Sequence, residues 1–218
     1  MPVNVYPAFA VPFGDAHYPD PSALNAALSE LILALEAQGA GYRNPEPVVH
    51  QPAGLFESEF DFFARNEPCV QELRAFAWGA LREFLCEINP QIAQGTQGLQ
   101  ISSQTWFHVT RSGGYFGYHN HPMASWSGVY CVSDGQPDEH FSNNGCLVFP
   151  HPQAAANTFL DSANGVLRWP FSHGNYVLSP IPGRLVFFPS WLGHYVTPFH
   201  GAGQRITIAF NAWFRREG

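Results

Sequence analysis

Two histidines, His119 and His121, stand one residue apart in "GYFGYHNHPMASWSGVYCV" (114–132). In extended backbone, residues i and i+2 project from the same face. Both imidazoles would then lean the same way at the mouth of a strand, close enough to share a metal ion. The plainer reading is a polar loop that contains histidine. A third histidine, His194, falls where the apolar run "RLVFF" gives way to the turn-like "PSWLG" and a new strand. Two ligands from one strand and one from a distant strand make a facial triad, which leaves three positions open on an octahedral metal. The usual pattern is HxD…H, so His121 stands where a carboxylate would be expected.

Arg205 follows His194 by 11 residues, past the turn "HGAG" and at the start of "RITIAFN". An antiparallel return brings these two positions near one another. By the period of two, Arg205, Thr207, Ala209 and Asn211 share one face, while Ile206, Ile208 and Phe210 form an apolar one. An arginine aimed into a barrel beside a metal calls for an anion, and its planar fork suits a carboxylate. The alternative is an edge-strand arginine reaching solvent. His17, His50, His140, His151, His173 and His200 sit in Pro/Gly/Asn-rich, loop-like surroundings, and His108 alternates with Trp106 on a strand.

The elements that must position these groups divide the chain in two. "DPSALNAALSELILALEAQG" (20–39) reads as a helix, with Asp20 as cap, Pro21 in the first turn, Gly39 at the exit, and Leu24, Leu28, Leu31 and Leu35 on one face. "NEPCVQELRAFAWGALREFLCEINP" (66–90) reads as a second, with the stripe Val70, Leu73, Ala77, Leu81, Phe84 and Ile88. The segment between them is proline-rich early, with a short helix expected in its later half. From Gly98 onward short strands alternate with turns: "LQISSQTWFHVT", "SGVYCVS", "CLVFPHP", "NYVLSPI", "RLVFFPS", "HYVTPF" and "RITIAFNAWF". Their number and spacing predict a sandwich or barrel. The expectation is one domain over 1–218: a helical support region (1–97) packed outside a β-roll (98–218) that carries the chemistry.

Composition sets limits on function. Of 218 residues, 45% are apolar and 33 are aromatic, ample material for a core. The formal charge is −7, with ten arginines and no lysine. That argues against a nucleic-acid partner and against binding an anionic membrane through basic clusters. No run of 18 apolar residues predicts a membrane span, and the N-terminus lacks the pattern of a signal peptide. Cys69, Cys86, Cys131 and Cys146 form no short-loop motif, so all four are expected as thiols, in a cytoplasmic protein. Oligomeric state is unreadable from sequence, and a homodimer stays open.

The stretches "TWFHVTRSGGYFGYHNHP", "SWSGVYCV", "GCLVFPHP" and "PIPGRLVFFPSWLGHYVTPFHGAGQRITIAFN", spread over roughly 103–214, resemble the iron(II)- and 2-oxoglutarate-dependent oxygenases, in particular a bacterial branch without assigned substrates. The resemblance implies a mainly β fold with N-terminal helices, the double-stranded β-helix (a cupin-like jelly roll). It implies Fe(II) held by His119, His121 and His194, and 2-oxoglutarate held at its far carboxylate by Arg205 with Thr207; Asn211 is a further candidate for that cosubstrate. O2 would be the oxidant, and an unidentified small molecule or peptide the substrate hydroxylated. Trp106, Tyr115, Tyr130 and Trp191 are candidates to wall the pocket. The departure is His121 in place of the common Asp or Glu, which leaves the iron one unit more positive. An oxoglutarate-independent three-histidine oxygenase or cupin-like enzyme, a metal-containing binding module and a metal-free β-roll are the alternatives.

Overall fold

The computed structural model describes residues 1–93, 99–153, 155 and 158–216. In chain order the elements are β1 (Gly14–His17), α1 (Ser22–Glu36), β2 (Leu55–Glu57), α2 (Pro68–Ile88), α3 (Pro90–Ala93), β3 (Leu99–Thr110), β4 (Phe116–His119), β5 (Trp126–Ser133), β6 (Leu147–Phe149), β7 (Tyr176–Leu178), β8 (Arg184–Pro189), β9 (His194–Val196) and β10 (Arg205–Arg216). The strands form two antiparallel sheets: a six-stranded one in the order β1-β8-β5-β10-β3-β2 and a four-stranded one in the order β4-β9-β6-β7. This is the double-stranded β-helix, with the helices α1, α2 and α3 added.

Alternation along the six-stranded sheet decides which side chains meet the helices. Phe107 and Val109 on β3, Tyr130 and Val132 on β5, Leu185 and Phe187 on β8, and Ile206, Ile208 and Phe210 on β10 project outward. They form one core with Leu24, Leu28, Ile32 and Leu35 of α1 and with Val70, Leu73, Ala77, Leu81 and Leu85 of α2. Burying each such Leu, Ile or Phe contributes about 1.5–3 kcal/mol, which is why the amphipathic helices lie on this face. Gly128 of β5 makes the fit close, because a Cβ there would lie 2.3 Å from the Phe210 ring. The opposite face of the same strands carries Trp106, His108, Ser127, Val129, Val186, Phe188, Arg205 and Thr207 toward the four-stranded sheet.

Several expectations need adjustment. Asp20 does not cap α1: it sits at φ 46°, and Pro21 holds the N-cap position without a side-chain hydrogen bond. Ile32 is fully buried where Leu31 is only partly so, and on α2 Leu85 carries the stripe onward while Ile88 is exposed. Phe84 is half-buried and packs on Trp126 and Phe187. The short helix expected before residue 66 is a single 3₁₀ turn, Phe62–Ala64. Three short strands, β1, β2 and β4, carry too few residues to show a period. The seven expected strand segments all appear, with β6, β7 and β9 cut to three residues each. The boundary placed at residues 97/98 lies outside the described residues. All four cysteines are free.

Candidate functional site

His119 is the last residue of β4, and its direct partner across the ladder is His194, the first residue of β9. The two rings lie 4.3 Å apart, centroid to centroid. His121 lies just past β4, not on a strand. Its backbone N–H donates to the Ser190 carbonyl (2.9 Å), and its ring stands 4.9 Å from His119 and 5.1 Å from His194. One nitrogen from each ring can be chosen so that all three lie within 4.8 Å of one another, a group able to hold a metal ion.

The tautomers are set by acceptors that have no proton to give. His119 Nδ1 lies 2.8 Å from the Gly117 carbonyl and His194 Nδ1 lies 2.9 Å from the Leu192 carbonyl. Each Nδ1 therefore carries the proton and each Nε2 keeps its lone pair, the arrangement of metal-ligating histidine. Burial lowers the pKa of His119, lowers that of His194 well below its ordinary value, and takes His121 down to about 3, with the neighbouring histidine charges acting in the same direction. All three are neutral at pH 7, as ligands must be. Phe188 and Phe149 pack on His194, at 4.8 and 5.6 Å.

Arg205 is 4% exposed and reaches the same small cavity, of about 40 Å³, that the three imidazoles and Thr207 line. Its Nε donates to the Gly145 carbonyl at 2.9 Å. Gly145 adopts φ +62°, and a Cβ on it would lie 3.1 Å from both Arg205 Cδ and the Phe199 ring. Among the described residues no carboxylate pairs with Arg205. Burial lowers its pKa, yet a guanidinium stays charged in any protein. A buried, unpaired cation is costly, so an anionic ligand is the natural complement. Asn211 is placed elsewhere: its Oδ1 accepts the Ser127 hydroxyl (2.8 Å), which also meets the Ser190 hydroxyl (2.8 Å). It thereby braces the turn to which His121 is bonded.

Of the expected wall residues, Trp106 lines the cavity, its ring 5.5 Å from His121. Its indole Nε1 is buried without a hydrogen-bond partner; an unsatisfied buried donor costs about 1–3 kcal/mol, so this N–H too fits an acceptor bound in the cavity. Tyr130 instead faces the helices and donates to Asn25 Oδ1 at 2.7 Å. Tyr115 and Trp191 are exposed. Sequence reasoning passed over His108 and Glu57. His108 lines the cavity and meets the buried Glu57 carboxylate at 2.8 Å. The alternation of His108 with Trp106 marked it as inward-facing, whereas Glu57 lies in a segment with no readable period. A larger cleft of about 480 Å³ lies on the His194 side, lined by Phe149 and Leu192, which both touch His194, and by Tyr6, Phe13, His151 and Trp169 among others.

A double-stranded β-helix with three converging imidazoles and a buried arginine defines the class of non-haem iron oxygenases. A family model described as "Putative 2OG-Fe(II) oxygenase" matches residues 104–211, about half of the chain, and the match includes the three histidines, Arg205, Thr207, Trp106 and His108 but not Glu57. The chain belongs to that family and is a 2-oxoglutarate- and Fe(II)-dependent oxygenase, with O2 as the family's co-reactant. Solved structures share the fold. A Pseudomonas putida prolyl-4-hydroxylase is 21% identical, with a TM-score of 0.58 over 95% of this chain and 94% of its own. A Trichoplax adhaerens prolyl hydroxylase, solved with a hypoxia-inducible-factor peptide, is 12% identical (TM-score 0.58; 92% and 83%). HygX of Streptomyces hygroscopicus, solved with nickel, 2-oxoglutarate and hygromycin B, is 13% identical (TM-score 0.55; 93% and 82%). No curated protein sequence matches the chain.

Proposed function

We propose that His119, His121 and His194 hold the iron, that Arg205 with Thr207 binds the far carboxylate of 2-oxoglutarate, and that the enzyme hydroxylates a small molecule or peptide. The observation that carries this reading is one cavity with opposite needs at its two ends: three neutral imidazoles with open lone pairs, and a buried guanidinium with no carboxylate of its own. Iron(II) bound there with 2-oxoglutarate and O2 supplies the oxidising chemistry of the family. The chain's own residues do the rest. The Gly117 and Leu192 carbonyls orient the two facing imidazoles, the Ser190 carbonyl anchors His121, and Phe188 and Phe149 keep water from the His194 side. Trp106 Nε1 offers a donor to whatever oxygen atom lies nearest it.

The substrate is proposed to enter the aromatic cleft beside His194. Its volume suits a drug-sized molecule or a few residues of peptide, which agrees with neighbours solved with hygromycin B and with a peptide. Three neutral ligands also suit an oxoglutarate-independent oxygenase; the unpaired Arg205 and the family match favour the cosubstrate-using enzyme. The test measures iron content and 2-oxoglutarate-dependent oxygen uptake. His119→Ala and His194→Ala should each abolish stoichiometric Fe(II) binding, and His121→Asp should retain it. Unchanged iron in either alanine variant would overturn the ligand assignment.

A further inference from the structure

We propose that Glu57 is a positioning residue for the metal: an outer carboxylate which, across His108, returns the negative charge that a three-histidine site lacks. The inference rests on the iron reading above. Three neutral imidazoles leave both positive charges of Fe(II) uncancelled, whereas a ligand set with one carboxylate cancels half. The chain buries one carboxylate beside this site. Glu57 is 3% exposed and stands directly opposite His108 in the β2–β3 ladder. Its Oε2 lies 2.8 Å from His108 Nε2, while its Oε1 accepts Asn44 Nδ2 at 2.6 Å and Gln51 Nε2 at 3.0 Å.

Neither amide carries charge, and among the described residues no arginine pairs with Glu57. Arg65, the nearest in sequence, pairs with Glu67, and Arg43 directs its Nη1 to Gln51 Oε1 and the Leu55 carbonyl. A carboxylate removed from water without a cation is expensive to keep ionised. Burial does push the Glu57 carboxyl up, but its bonds to His108 and Asn44 and the pull of His108 more than offset this and hold it below the usual range. It is therefore ionised, and its partner His108 lines the cavity that the three histidines share. The path is short: the His108 ring packs 4.9 Å from Phe116, which packs 4.6 Å from His119. Glu57 and Arg205 thus complement the two ligands of the site, one the metal cation and the other the cosubstrate anion.

The competing arrangement is a closed Glu57–His108 ion pair that supports only the β2–β3 ladder. Two variants separate them. Glu57→Gln keeps the shape and removes the charge; Glu57→Asp keeps the charge and disturbs the hydrogen bonds. Fe(II) affinity is read by chelator competition, the Fe(III)/Fe(II) potential by redox titration, and metal-free stability by thermal unfolding. Loss of a group bonded directly to a ligand costs roughly 10–100-fold in metal affinity, and Glu57 acts at one residue's remove, which places its effect at the lower end of that range. Glu57→Gln should lose affinity in that range and shift the potential upward, because the more highly charged ion loses more. Its metal-free melting temperature should not fall. Glu57→Asp should bind iron more tightly than Glu57→Gln. If Glu57→Gln keeps affinity within twofold and the potential unmoved while His119→Ala loses its iron, the charge-balancing role is wrong and the iron site stands. If His119→Ala keeps its iron, the site itself is wrong and this inference falls with it.

Discussion

Arg205→Met is the most informative single change. Methionine fills much of the volume of the arginine stem without its charge, so the change leaves no large void. In the metal-free, cosubstrate-free protein the substitution removes a cation that is 4% exposed and has no acidic partner among the described residues. Thermal stability should therefore hold or rise, with the lost Gly145 hydrogen bond (2.9 Å), made by a charged donor, opposing the gain by about 1.5–3 kcal/mol. Cosubstrate binding should respond in the opposite sense. A buried charge pair that loses one member costs about 3–5 kcal/mol, which at ~1.4 kcal/mol per decade is roughly a hundred- to several-thousand-fold in affinity. The assay is anaerobic titration of the Fe(II) protein with 2-oxoglutarate, following the weak visible charge-transfer band of the chelate. Iron binding should stay within a fewfold of wild type. Arg205→Lys should recover part of the loss, because an ammonium lacks the planar fork. If Arg205→Met binds 2-oxoglutarate as tightly as wild type, the carboxylate-clamp role is refuted.

Three further predictions follow from the fold. Gly128→Ala would set a Cβ 2.3 Å from the buried Phe210 ring, and overpacking of this kind costs on the order of 1–3 kcal/mol; a lowered thermal midpoint checks it, and an unchanged one would mean the ring yields freely. A fragment of residues 98–218 should be insoluble or lack cooperative unfolding, because the outward apolar face of the sheet packs on α1 and α2; a folded, iron-binding fragment would make 1–97 a separate unit. Burial pushes the Cys131 thiol up to about 12. A raised folded-state value means that its contribution to stability is complete below the ordinary thiol value near 9 and is lost as the pH climbs from there toward 12. Native Cys131 should accordingly resist alkylation at pH 8 while Cys69 and Cys86, both partly exposed, are modified first; mass mapping of the labelled peptides decides this.

The strands of the β-roll were legible because their periods are short and unbroken. "LQISSQTWFHVT" coincides with β3 and "RITIAFNAWF" with all but the end of β10, and alternation along "RITIAFN" already separated Arg205 and Thr207 from Ile206, Ile208 and Phe210. His194 stood out as a histidine at a strand start. The helices were legible at their centres and not at their ends, since Asp20 takes up a left-handed turn that a capping rule cannot anticipate. Spacing marked the three histidines and the arginine as candidates, and the family resemblance added Thr207, which shares the face of Arg205.

What tertiary structure alone decided is where those candidates stand relative to one another and which partners they meet. His119 faces His194 because β4 and β9, 75 positions apart in the chain, pair in that register; no local pattern encodes a register between distant strands. Asn211 shares its strand face with Arg205, yet Ser127, directly across from it, donates to its amide oxygen. Tyr130 turns to the helices because the pleat sends it outward. Glu57 had no signal in a proline-rich segment, and it enters the site only because three residues of β2 add to the edge of β3. Local sequence sets period and face through backbone geometry. Which faces meet is set by long-range packing, where the burial of many side chains together outweighs the preference of any one.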